Sequence, residues 1–307
     1  MVKAPEALDR LAFSAGEEDY RWADIVAAAR AWGRWDEIAR LAAREAPKVG
    51  EAELAAAGEA FRYERGLLAA DEMEAWLRHW GLTQAAWSSY LRRTLSSAAP
   101  AQSGEAPSGE AEEEDIWAEA VCSGALFELA RELAARAAAA EARGTGAGAI
   151  EPDLGRMGEE LTAFVEDALT PEARAKALEL RSADWVRLTF TELELPEQGM
   201  ANEAALCVRE DGLSLAEVAE RAGVALRERE AFIEEVDGEL SKALLSAPPG
   251  ELVGPVRVAD GFALLRVHEK VAPVLGDPVI QARVEEEVPR RALEREVRNR
   301  VRWHERL

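Results

Sequence analysis

Residues 238–270, GELSKALLSAPPGELVGPVRVADGFALLRVHEK, constrain this chain more than any other stretch. An acidic-to-apolar run with helical spacing leads into Pro248-Pro249-Gly250, a turn that no helix or central strand can pass through. Gly254-Pro255 starts the next strand. Asp260-Gly261 between Val256/Val258 and Phe262/Leu264 is a strong two-residue hairpin signal. A helix, a turn and a two-stranded hairpin are therefore expected here, so the chain cannot be all-helical.

Upstream, the spacing is mostly helical. Residues 17–46 read as one helix, with Trp22, Ile25, Val26, Ala29, Trp32 and Ile38 at three- and four-residue steps. A second helix carries Leu54, Ala57 and Phe61, and Gly66 interrupts it. Two short helices flank Gly81, which suits a C′ position, while Thr83 suits the next N-cap. Met73, Trp76, Leu77, Trp80, Leu82, Trp87, Tyr90 and Leu91 form a dense apolar set. Its simplest role is a helical core, and its alternative is a groove in which Trp76, Trp80 and Trp87 hold an apolar peptide.

Residues 96–115 are small, polar and acidic with two prolines, and read as a flexible excursion. A helix is expected over 116–143, then two more over 154–169 and 171–181, the last begun by Pro171. WVRLTFTELEL (185–195) alternates and is rich in β-branched residues, which predicts a strand. LSLAEVAERAGV (213–224) has the form of the first helix of a helix-turn-helix reader. The acid-rich ALREREAFIEEVDG that follows would be repelled by DNA, so packing against a sheet is the expectation. Residues 277–307 read as a closing helix, with Pro289 kinking it or starting a second one.

Charge narrows the function classes. Lys and Arg number 37 against 59 Asp and Glu, a formal net charge of −22, which opposes phosphate-backbone and anionic-membrane binding. No apolar run approaches the roughly 20 residues of a membrane span, and the N-terminus lacks the apolar core of a secretory signal. The expected address is cytoplasmic. The two cysteines, Cys122 and Cys207, read as reduced thiols. His79, His268 and His304 show no metal-ligand spacing, and no phosphate-binding or nucleophile-elbow motif is present. No metal, cofactor, nucleic acid or membrane partner is expected, and composition sets no oligomeric state.

The order of turn, GPV strand and G-aromatic strand in 238–270 resembles the C-terminal half of parvulin-type (rotamase, PpiC, SurA-like) peptidyl-prolyl isomerase domains. WVRLTFTELEL is similar to that family's first strand and LSLAEVAERAG to its first long helix. The resemblance implies a mostly helical α+β chain. A SurA-like helical chaperone part would span 1–182, a small antiparallel parvulin-like domain 183–272, and a C-terminal helix 273–307 would pack back on the helical part. The family's site histidines are not matched: Thr189 or Thr191 stands in the first strand, and Ala263 follows Gly261-Phe262. The family's Gly-Gly-x-Leu-Gly segment is also absent.

A chain with those degenerate positions can still hold peptide by strand addition or in side-chain pockets. Phe190, Leu244, Val256, Phe262 and Leu264 are the candidate contacts. The leading expectation is a peptide-binding chaperone for an unfolded or precursor polypeptide, resembling PpiC-related components of bacterial peptide-maturation systems. An isomerase with a non-standard pocket and a non-catalytic scaffolding subunit are the alternatives. Amide rotation crosses about 18–20 kcal/mol and needs no nucleophile, so missing histidines alone do not decide between them.

Overall fold

The computed structural model describes residues 6–45, 48–97, 111–145 and 153–305. Most of the excursion expected at 96–115 and part of the glycine-rich stretch at 144–150 lie outside them. The fold is α+β and mostly helical with two small antiparallel sheets. The chain forms two compact units, 1–167 with 291–307, and 168–290.

The first unit opens with a hairpin, not a helix. After a 3-10 turn, Glu6–Asp9, come β1 (Leu11–Ala15) and β2 (Glu18–Arg21). Gly16, at φ +60°, makes the tight turn between them. The expected helix at 17–46 is thus corrected to β2, α1 (Trp22–Ala31) and α2 (Arg34–Ala42), the helices parted by Gly33 at φ +70°. Then follow α3 (Glu51–Glu64), α4 (Ala70–Trp80) and α5 (Gln84–Ser97). Gly81 ends α4 in the left-handed conformation, and Thr83 Oγ1 accepts from the Ala86 N–H at 3.0 Å, the cap its position predicts. The single helix expected over 116–143 is two, α6 (Glu113–Cys122) and α7 (Ala125–Ala142), because Gly124 turns the backbone at φ +87°. α8 (Leu154–Ala168) follows.

The last residues of the chain are also corrected. α13 (Pro278–Arg300) runs through Pro289 and gives way to a strand, β7 (Val301–Trp303). β7 pairs antiparallel with β1, setting Phe13 opposite Trp303 and giving a sheet in the order β2-β1-β7. Phe13 stacks on Tyr20 at 4.5 Å, and Trp303 closes on it at 5.3 Å. Ser14 Oγ donates to Asp19 at 2.5 Å and lies 2.6 Å from His304 Nε2, while His79 meets Glu305 at 2.9 Å. Two of the three histidines therefore hold the strand that closes this sheet.

The second unit contains α9 (Pro171–Leu180), β3 (Arg187–Leu195), α10 (Gln198–Arg209), α11 (Leu215–Ala222), β4 (Leu226–Phe232), α12 (Gly238–Ser246), β5 (Leu252–Val258) and β6 (Gly261–Val271). Its sheet runs β4-β3-β6-β5, antiparallel throughout. One face, with Leu188, Phe190, Ala263, Leu265 and Val267, packs on Leu240 and Leu244 of α12. The other, with Leu193, Leu195 and Leu264, packs on α10 and on Leu215, Val218 and Ala219 of α11. Ser214 and Glu217 cap α11 reciprocally, and Gly223 closes it. A charged strand follows α11, not a second reader helix. The N-terminal part of α13 adds Ile280, Val284 and Val288 to a cluster with Trp185 and Phe232.

Candidate functional site

The positions that the sequence resemblance pairs do not come together. In β3 the side chains alternate, so Thr189 and Thr191 share the face of Leu193 and Leu195, whereas Ala263, paired with Glu194, lies on the face of Phe190. Ala263 is fully buried under α12. Thr191 instead meets His268, its Oγ1 lying 2.5 Å from Nε2. A bulge makes this contact: Phe190 pairs with Val267 but Thr189 with Glu269, so His268 is the extra residue. Strict alternation along β6 gives no sign of it, and sequence spacing therefore set His268 aside.

This pair has limited chemistry. His268 is exposed and Thr191 only 6% so, which leaves one imidazole on a nearly buried hydroxyl. The opposite face has a buried carboxylate, Glu192, taken up by Arg229 at 2.9 Å. Neither thiol helps: Cys122 and Cys207 are free, and burial pushes the Cys122 thiol up to about 12, keeping it protonated. Among the described residues no group of three or more His, Cys, Asp or Glu could hold a metal ion, and no helix is long and apolar enough to cross a membrane.

The peptide contacts expected from sequence are mostly interior. Phe190, Leu244 and Leu264 are at most 1% exposed. Val256 and Phe262 are partly buried, but Val256 packs on the α12 face and Phe262 on the α10 face. Strand alternation thus divides the set, and no single ligand surface contains it. In the first unit Trp80 and Trp87 are core residues, and the Trp80 carbonyl accepts from the Trp117 indole at 2.7 Å. Trp76 is partly buried, edge-on to Phe61 at 5.5 Å. The aromatic density there fills a core.

An open apolar groove lies elsewhere in the first unit. A groove of about 490 Å³ is walled by Leu8, by Ala23, Val26 and Ala27 of α1, by Trp35 of α2, and by Ile116 and Trp117 of α6. Arg30 and Glu113 are its charged members. That volume falls in the usual range for ligand clefts, and the lining has the usual balance of many apolar groups and few polar ones. Ala23, Ala27 and Arg30 follow at i, i+4 and i+7, one face of α1. Small residues there leave room beside the large Trp35, and that spacing is the one sequence signal that could have marked the groove.

No protein-family model matches the sequence, and no curated protein matches it. Among solved structures it is similar to the peptidylprolyl isomerase PrsA of Bacillus cereus, at 11% identity over 96% of this chain and 91% of that one, with a TM-score of 0.33. The foldase protein PrsA of Lactococcus lactis is similar at 11% identity over 97% and 96%, TM-score 0.31. A SurA-like chaperone of Campylobacter jejuni is similar at 8% identity over 97% and 100%, TM-score 0.22. Superpositions this loose assign no activity, and the functional reading rests on the residues above.

Proposed function

We propose that this protein binds unfolded or precursor polypeptide without accelerating prolyl isomerisation, in a bacterial peptide-maturation setting. The observation that carries this reading is the groove of α1, α2 and α6, an apolar cleft open at its rim. The turn-strand-hairpin grammar shared with parvulin-type domains supports the foldase-like setting. The free thiols of Cys122 and Cys207 suit a reducing, cytoplasmic address.

Filling the groove tests the reading directly. Ala27 is exposed on α1, so Ala27→Trp should occupy the cleft without disturbing the core. Binding of a reduced, unfolded model polypeptide should weaken roughly tenfold, the consequence of lost apolar contact area, with an unchanged thermal midpoint. Unchanged binding sinks the proposal; a stable complex with one folded partner, and with no unfolded chain, would favour the scaffolding alternative.

The isomerase alternative makes the opposite demand on Thr191 and His268. With one imidazole and Ala263 under α12, cis–trans exchange of a proline-containing tetrapeptide, followed by NMR, should not accelerate beyond about twofold. His268→Ala should leave polypeptide binding intact. Clear acceleration lost in His268→Ala would establish an enzyme instead.

A further inference from the structure

We infer that the groove selects an extended segment whose apolar anchor is flanked by a basic residue, with Glu113 as the group that reads the base. The inference rests on the peptide-binding reading of this groove. Its starting point is the unequal use of the three acids in the first turn of α6. Glu114 accepts from Thr83 at 2.6 Å, and Asp115 pairs with Arg93 at 3.0 Å. Glu113 is exposed, lines the apolar groove, and has no partner among the described residues. The helix dipole accounts for acids in this turn. It does not account for one of them standing unengaged beside Ile116 and Trp117.

Arg30 gives the groove a direction. Its guanidinium lies over the Trp35 ring at 5.8 Å, and no carboxylate holds it among the described residues. A client carrying its base toward Glu113 would present main-chain carbonyls or an acid toward Arg30. The reverse placement sets like charges together. A net charge of −22 adds long-range attraction for a basic client. A segment with a basic residue on the flank that reaches Glu113 fits this surface, and one with an acid there does not.

Three fluorescent nonapeptides with one apolar centre and a single Lys, Ser or Glu on one flank make the test, read by anisotropy on the full chain. The Lys-flanked peptide should bind roughly fivefold more tightly than the Ser-flanked one, in the range of a single exposed charge contact. Glu113→Gln should erase that margin, and Glu113→Lys should reverse the order of the Lys and Glu peptides. Ala27→Trp should weaken all three. If Ala27→Trp weakens all three but Glu113→Lys leaves the order unchanged, the assignment to Glu113 is overturned while the groove stands. If Ala27→Trp changes none of them, the groove reading itself fails.

Discussion

Gly261→Ala should destabilise the second unit by about 2–6 kcal/mol, the sum of a backbone strain and an overpacking cost of roughly 1–3 kcal/mol each. Gly261 opens β6 at φ +147°, where a side chain is strained. A Cβ there would sit 2.3 Å from the Leu195 carbonyl oxygen and 3.1 Å from the Pro196 Cα. Neither can retreat easily, because Leu195 pairs with Phe262 at the end of the β3–β6 ladder. A loss of that size is a large share of the 5–15 kcal/mol typical of a domain. Limited proteolysis mapped by mass spectrometry should show new cleavage within 168–290, while Asp260→Ala, in the loop itself, should stay protected. Equal protection of the two variants would show that the hairpin absorbs the methyl group.

The same glycine explains why this stretch was legible. Gly250 at φ +89°, Gly254 at φ +108° and Gly261 each occupy a backbone position that other residues take only with strain. A Cβ on Gly254 would meet the Ala263 carbonyl oxygen at 2.5 Å. Turn chemistry is local, and local constraints are visible in sequence. The hairpin loop proved to be Ala259-Asp260, with Gly261 already paired to Val258, one residue from its expected place.

Elements whose reasons are not local were missed. β4, LREREAF, reads as a solvated charged stretch, yet it is an edge strand held by cross-strand pairs such as Arg229–Glu192 and Arg227–Glu194. Charges on an edge discourage further pairing, so they are compatible with a strand there. β7 has three residues and exists because β1, nearly three hundred positions earlier, offers it a ladder. The bulge at His268 depends on β3 in the same way. The groove draws on a 3-10 turn and three helices, and its Trp35 and Trp117 are indistinguishable in sequence from core tryptophans. Periodicity assigns a residue to a face, and only the assembled unit decides what covers that face.

Trp22→Ala should cost the first unit about 4 kcal/mol, within the range for deleting a buried aromatic side chain. Trp22 begins α1 and is fully buried, edge-on to Trp80 at 5.1 Å and to Phe127 at 5.8 Å. Trp80 and Phe127 meet each other at 5.2 Å, so the three rings close a cluster at the centre of the unit. Among the described residues the Trp22 indole nitrogen has no hydrogen-bond partner, and packing sets the cost of its removal. Trp22→Phe, which keeps one ring in the cluster, should cost less than half as much.

The tryptophans themselves supply the readout. Of nine in the chain, Trp185 is the one within 168–290, so denaturant unfolding followed by fluorescence reports chiefly on the first unit. A Trp185→Phe background should leave the shift caused by Trp22→Ala intact. Because Ala23, Val26 and Ala27 follow Trp22 on α1, polypeptide binding should fail at the denaturant concentration where this unit unfolds. Binding that outlasts the fluorescence transition would place the peptide surface outside the first unit. A midpoint shift worth less than about 1 kcal/mol would mean that neighbouring side chains collapse into the vacated space.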